Sequence, residues 1–273
     1  MNPFRQLLKA SGSHPPIGTW IMSASPLVAE AVAYAGFDWG VIDMEHTPLD
    51  MMEVIHMLQA VAVTKMVPVV RVPWNEPVMV KRILDAGAQT VLFPFVQNAE
   101  EARRAVAATR YPPQGMRGMA GMSRGSRFGT TPNYVTSANK SMGVIVQLET
   151  PEACANVDAI AGVDGVDAIF VGPADLSASM GHVGQLNHPA VMDVMGKVAQ
   201  RCAQLGKPCG TVGGTPEMVA QYRAAGFSYL AIGSDLGLLM RSAQQHLQAL
   251  RTTGEEHVHT LATGTQNKEA QGY

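Results

Sequence analysis

Short apolar runs recur along the chain, and between them lie longer stretches in which apolar and polar positions follow helical spacing. The runs are IGTWIM (17–22), WGVIDM (39–44), MVPVVRV (66–72), TVLFPF (90–95), GVIVQLE (143–149), AIFVG (168–172), KPCGTV (207–212) and YLAIGS (229–234). They are rich in Val, Ile, Leu and aromatic residues and nearly apolar on both faces. That pattern predicts strands covered on both sides, as in a parallel sheet. Helices are predicted over 26–36, 76–87, 98–110, 150–162 and 215–226, bounded mostly by Pro near the start and Gly at the end. The pair Ala-Gly stands just before a strand at 35–36, 86–87 and 225–226, so one βα unit is used repeatedly. Strands and helices in this alternation predict an α/β fold, a (β/α)8 TIM barrel. A doubly wound open sheet is the weaker alternative, because no GxGxxG follows the first strand.

A chain of 273 residues has room for two domains of roughly 150 residues, yet one barrel commonly takes about 250. The pattern assigns a single barrel domain to 1–250 and a polar C-terminal extension to 251–273, expected to be mobile or packed on a neighbouring subunit. Residues 111–141 form a long connection rich in Gly, Arg and Met. Loops of that length inside a compact domain are usually functional or disordered.

The formal net charge of -2 gives no pull toward nucleic acid or an anionic membrane. Sparse aromatics and the acidic balance also argue against RNA binding by the Gly/Arg loop. Cys154, Cys202 and Cys209 are widely spaced without a CxxC pair, which fits buried reduced thiols and neither a disulfide framework nor a zinc site. The opening MNPFRQLLKASG has no apolar h-region, and no apolar run is long enough to span a bilayer. The expectation is a soluble, cytoplasmic protein.

In barrels of this kind the functional groups sit at the C-terminal ends of the strands. Trp20 ends the first strand, Asp43, Glu45 and His46 end the second, and Arg71 ends the third. Gln147 and Glu149 end the fifth, Asp175 lies just past the sixth, and Gly233-Ser234-Asp235 end the eighth. Glu149 and Asp175 come from neighbouring strands and would repel unless a proton or cation lay between them. Hard oxygen donors without cysteine suit Mg²⁺ or Mn²⁺; each carboxylate would equally serve as a helix cap. No lysine falls at a strand's C-terminal end, since Lys65, Lys140 and Lys207 precede strands and Lys81 lies mid-helix. A Schiff base lacks its amine, so carbonyl chemistry would need a metal as electron sink.

Asp43 and His46 are three residues apart across a turn, a spacing that suits a proton-transfer dyad or a histidine satisfying a loop hydrogen bond. Arg71 would stabilise a developing oxyanion, or pair with Asp43 or Glu45. Glu45 reads as a group that positions Arg71 or a metal-bound water. GTVGGTP (210–216) is either a phosphate loop or a tight turn with a capped helix, and Arg117, Arg124 and Arg127 would clamp an anionic substrate or face a partner subunit.

DMEHTP, VVRVPWNEP, RYPPQGMRG, QLETPEA and VGPADLSASMG occur in this order. Together they resemble the class II, metal-dependent pyruvate aldolases. This is the HpcH/HpaI group of 4-hydroxy-2-oxoheptanedioate and 2-dehydro-3-deoxyglucarate aldolases. The resemblance covers about residues 5–250, and the tail after Arg251 has no counterpart. It implies a phosphoenolpyruvate/pyruvate-type (β/α)8 barrel assembled as a homohexamer, a trimer of dimers. It implies a divalent metal (Mg²⁺, Mn²⁺ or Co²⁺) on Glu149 and Asp175, His46 paired with Asp43 as acid/base, and Arg71 stabilising an enolate. The backbone at Gly172, Pro173 and Ala174 is implied to receive the pyruvate carboxylate, with Trp20 and Gln147 also at the substrate. The implied reaction is reversible retro-aldol cleavage of a 4-hydroxy-2-oxo acid to pyruvate and an aldehyde, in sugar-acid or aromatic catabolism. A related barrel lyase acting on an acyl-CoA or phosphorylated substrate is the alternative.

Overall fold

A computed structural model describes residues 1–12 and 14–266, with side chains as far as Thr252. All eight expected strands are present: β1 Ile17–Ile21, β2 Trp39–Asp43, β3 Val67–Arg71, β4 Thr90–Phe93, β5 Gly143–Leu148, β6 Ala168–Val171, β7 Cys209–Gly213 and β8 Tyr229–Ser234. Each is parallel to its neighbours, and β8 pairs with β1 to close the barrel. β7 starts at Cys209 rather than Lys207, whose ammonium instead donates to the Val166 carbonyl at 2.5 Å.

The apolar residues fall into two layers, which is why the strands read as apolar on both faces. Trp20, Trp39, Val41, Val69, Leu92 and Phe170 fill the barrel interior. Ile42, Val70, Val91, Val144 and Ile169 point outward to the surrounding helices. Helix α1 (Pro3–Ala10) closes the floor. Its Phe4 ring meets Trp39 and Tyr229 edge-on at 5.8 and 5.5 Å.

The remaining helices are α2 Pro26–Tyr34, α3 Met51–Val61, α4 Pro77–Asp85, α5 Ala99–Ala108, α6 Tyr134–Ser141, α7 Pro151–Ala155, α8 Val157–Ala161, α9 Pro173–Ser179, α10 Pro189–Gln204, α11 Pro216–Ala224 and α12 Asp235–Gln266. Helices α1, α3, α6, α9, α10 and α12 were not among those expected, although Pro189 and Gly206 bracket α10. The helix expected over 150–162 is two short ones that break at Asn156. The recurring Ala-Gly pair has a backbone cause: Gly36, Gly87 and Gly226 follow α2, α4 and α11 with φ of 102°, 105° and 103°. That left-handed turn strongly favours glycine.

One compact unit spans Met1–Asp235, and a second begins at Leu236 with the rest of α12. Residues 267–273 of the expected extension lie outside the described residues. The long 111–141 connection is tied to the end of α4. Buried Arg117 donates to Asp85 at 2.7 Å with its guanidinium over the Tyr111 ring, and Arg124 donates to the Ala86 carbonyl at 2.9 Å. The end of α4 leads into the start of β4, so these two arginines lie on the strand-start side and do not clamp a ligand at the mouth. Among the described residues no helix is long and apolar enough to cross a membrane.

Candidate active site

β2 and β3 pair in register, with Asp43 opposite Arg71 at their C-terminal ends. Arg71 Nε donates to Asp43 Oδ1 at 2.8 Å and Nη2 donates to Oδ2 at 2.7 Å. Asp43 is fully buried and Arg71 is 6% exposed. Asp43 Oδ1 also accepts the Glu45 N–H at 3.0 Å, which folds the chain back after β2. Arg71 Nη1 lies 2.8 Å from Glu45 Oε2. The Trp20 ring, from the end of β1, lies 5.6 Å from the guanidinium. Burial works against the Arg71 charge, but the hydrogen bonds to Asp43 and the charges of Asp43, Glu45 and Glu149 more than offset it.

The expected Asp43–His46 hydrogen bond is not formed. Arg71 and the Glu45 amide take the Asp43 oxygens. His46 instead projects into solvent, its side chain 58% exposed, with Nε2 3.9 Å from Glu45 Oε2. Spacing alone brought Asp43 within reach of His46, but the cross-strand partner is a stronger competitor: a bidentate guanidinium–carboxylate pair outweighs a single hydrogen bond to imidazole.

At the end of β5, Glu149 is 1% exposed. Its Oε1 accepts Gln147 Nε2 at 2.6 Å and its Oε2 accepts the Phe95 N–H at 2.9 Å. Phe95 adopts a left-handed φ of 52°, and its ring stacks on exposed Trp74 at 6.0 Å. Gly172 makes room for the carboxylate. A Cβ there would stand 2.6 Å from Glu149 Oε1 and 2.8 Å from Gln147 Nε2. Asp175 lies half-buried in the first turn of α9. Gly172 spends its N–H on the Leu148 carbonyl at 3.0 Å, and Pro173 has none. The amides left free to meet an anion at this turn are therefore those of Ala174 and Asp175.

Four carboxylates, those of Asp43, Glu45, Glu149 and Asp175, share this mouth with one buried guanidinium. Burial pushes the Glu149 carboxyl up to about 8; Glu45 and Asp175 add to the rise, against the Phe95 N–H and Arg71. Burial also raises Glu45, against Arg71 and His46. Glu45 Oε2 and Gln147 Oε1 are buried without a directed hydrogen-bond donor. Excess negative charge, hard oxygens and the unpartnered Gln147 Oε1 fit a divalent cation. Among the described residues no three His, Cys, Asp or Glu side chains converge on one metal position. A cation held by Glu149 and Asp175 would thus complete its shell with water or substrate oxygens.

Other strand-end groups serve the scaffold. Asp235 accepts the Met22 and Ser23 amides at 2.9 and 3.0 Å, fastening the chain after β1 to that after β8. Thr215 caps α11 through the Met218 N–H at 3.3 Å, so GTVGGTP contains a capped helix start. Phe95 and Trp74 were missed by sequence reasoning. Hydrophobic periodicity carries no sign of a left-handed phenylalanine.

Barrel and mouth together define a (β/α)8 enzyme that gathers carboxylates around one immobilised guanidinium. The model of the family described as HpcH/HpaI aldolase/citrate lyase matches residues 16–242, and the chain belongs to this family. It is 47% identical over 248 residues to 2-dehydro-3,6-dideoxy-6-sulfogluconate aldolase of Pseudomonas putida, covering 91% of this chain and 96% of the relative. It is 46% identical over 246 residues to 5-keto-4-deoxy-D-glucarate aldolase of Enterobacter sp. (strain 638), covering 90% and 95%. An HpcH/HpaI aldolase/citrate lyase family protein from Burkholderia cenocepacia J2315 superposes with a TM-score of 0.88 at 42% identity, covering 92% of this chain and 100% of that one. The chain is accordingly a carbon–carbon lyase of the aldolase kind.

Proposed function

We propose that the chain reversibly cleaves a 4-hydroxy-2-oxo acid of the 2-keto-3-deoxy sugar-acid type into pyruvate and an aldehyde, with a divalent cation. Both relatives named above are aldolases of deoxy keto sugar acids bearing a second anionic group, a sulfonate in one and a carboxylate in the other. The observation that carries the reading is the Arg71 guanidinium, buried and aimed by Asp43, beside Glu149 and Asp175.

His46 takes the proton from the C4 hydroxyl, with Glu45 beside it to favour the imidazolium that results. The C3–C4 bond breaks, its electron pair moves toward the C2 carbonyl, and the aldehyde leaves. Arg71 stabilises the charge on the enolate that remains. A proton then returns to C3, giving pyruvate. The Ala174 and Asp175 amides receive the substrate carboxylate, and Trp20 walls the pocket behind Arg71. A divalent cation (Mg²⁺, Mn²⁺ or Co²⁺) on Glu149 and Asp175 supplies Lewis-acid polarisation of the 2-oxo group.

A coupled pyruvate assay across 4-hydroxy-2-oxo acids with carboxylate, sulfonate or methyl termini, in defined metals, tests this. Pyruvate release from none of them would overturn the reading. The three free, buried cysteines suit a reducing cytoplasm. The homohexamer implied by the family resemblance is checked by light scattering.

A further inference from the structure

We propose that a cavity on the opposite, strand-start face of the barrel binds a phosphoryl group, either free phosphate or one carried on a small metabolite. The cavity has a volume of about 800 Å³ and is lined by Arg5, Arg110, Lys140, Lys207, Asp164 and Asp167. It is built by elements far from the mouth: α1, the end of α5, α6, and the turns that lead into β6 and β7.

The charges in this cavity do not cancel. Arg5 is matched by Asp167, with Nε to Oδ1 at 2.6 Å and Nη2 to Oδ2 at 3.0 Å. Arg110 is 8% exposed, and among the described residues no carboxylate pairs with it. Its Nη1 donates to the Asn139 and Met142 carbonyls, which among the described residues leaves Nε and Nη2 without acceptors. Neither is among the sealed, unsatisfied atoms of the structure, so both open toward the cavity. Among the described residues the Lys207 ammonium donates to the Val166 carbonyl and to no carboxylate. Lys140 is exposed, and among the described residues its ammonium has no carboxylate within ion-pair reach. Burial holds both Arg110 and Lys207 below their ordinary range, and neighbouring Arg5 adds to the effect on Arg110.

Four cations and two carboxylates leave an excess of two positive charges. A phosphoryl group brings about -1.5 to -2 of charge in one compact unit, with three acceptor oxygens. A guanidinium edge and an ammonium suit it. A single carboxylate would leave half of the excess unmet. The volume exceeds what a free phosphate fills and leaves space for an organic body.

Titration calorimetry of the full chain with inorganic phosphate, glycerol 3-phosphate and succinate tests the proposal. Phosphate and the ester should bind competitively at millimolar affinity or better. Lys140→Glu, on the surface, and Arg110→Gln, which keeps an amide donor for the α6 carbonyls, should each weaken binding about tenfold. Pyruvate release without phosphate should stay unchanged in both. Tighter binding of the ester identifies a phosphorylated metabolite as the source, and equal or weaker binding identifies the free anion. Absence of phosphate binding, binding untouched by either variant, or preference for succinate would overturn the proposal.

Discussion

Arg71 meets Asp43 across the β2–β3 pair through two parallel hydrogen bonds of 2.8 and 2.7 Å, and both groups are buried. The guanidinium is therefore fixed before any ligand arrives, with Nη1 still turned toward the mouth and Glu45. Preorganisation of this kind is what makes a donor effective toward charge that develops during a reaction. Removing Asp43 strips a buried cation of its bidentate partner and leaves it to Glu45 at 2.8 Å. Asp43→Ala should cost about 3–5 kcal/mol of stability in chemical denaturation. Arg71→Lys keeps the charge but loses the fork, and should lower kcat by about 10²–10³-fold. Wild-type kcat in Arg71→Lys would show that the fork has no role in turnover.

His46 stands at the surface with its side chain 58% exposed, its Nε2 3.9 Å from Glu45 Oε2. His46→Ala should therefore leave the melting temperature and metal content unchanged. Turnover should fall by about 10²–10⁴-fold, the usual contribution of a positioned acid/base group. A variant with normal pyruvate release would exclude His46 as the base.

Chelation should abolish activity, and Mg²⁺, Mn²⁺ or Co²⁺ should restore it. Glu149→Ala should lose activity without rescue by added metal, while circular dichroism shows an intact barrel. Pyruvate release that survives both chelation and this substitution would remove the cation from the reaction.

How much of this was legible beforehand divides along physical lines. Strand-level facts came through because they rest on hydrophobic periodicity: all eight strands, the parallel closure, and the placement of Asp43, Arg71, Glu149 and Asp175 at strand ends. Helices α3 and α10 were not expected. Their patterns are apolar enough to bury Val54 and Met57, or Val191 and Met195; α3 ends without a glycine, whereas Pro189 and the left-handed Gly206 do bracket α10, so its boundary signals were present and went unread. Partner choice within the mouth was harder still. The pairing of Asp43 with Arg71 rather than His46 depends on register between two strands, which three-residue spacing cannot encode. Phe95 was invisible for a related reason: its role is carried by a backbone N–H in a left-handed conformation, and its side chain says nothing of it.

Protonation of Glu149 sets a pH dependence for the metal-free protein. Its carboxyl titrates near 8 when folded and near the ordinary 4.5 when unfolded. Between these values the unfolded chain has released the proton that the folded chain retains, so stability falls as pH rises. Melting temperature in chelator should drop from about pH 5 to about pH 8, and Glu149→Gln should flatten that slope. Added divalent cation should raise stability most at the alkaline end, because binding displaces the proton. An identical slope in Glu149→Gln would assign the effect to other groups.

Gly172 offers the sharpest separation of site from scaffold. It follows β6, and its missing side chain is filled by Glu149 Oε1 and Gln147 Nε2, 2.6 and 2.8 Å from where a Cβ would stand. Its φ of -86° lies in ordinary territory, so alanine brings no backbone strain there. What alanine does bring is contact with a carboxylate that the Phe95 N–H holds from the other side. The carboxylate has to move and surrender one of its two hydrogen bonds. Gly172→Ala should thus fold to a barrel with a near-normal circular dichroism spectrum. The metal concentration for half-maximal activity should rise about 10–100-fold, the usual range when the support of a ligand is disturbed. Metal titration of the pyruvate assay reads this directly. Unchanged metal dependence with normal kcat would show that the Glu149 position seen here is not the one that matters.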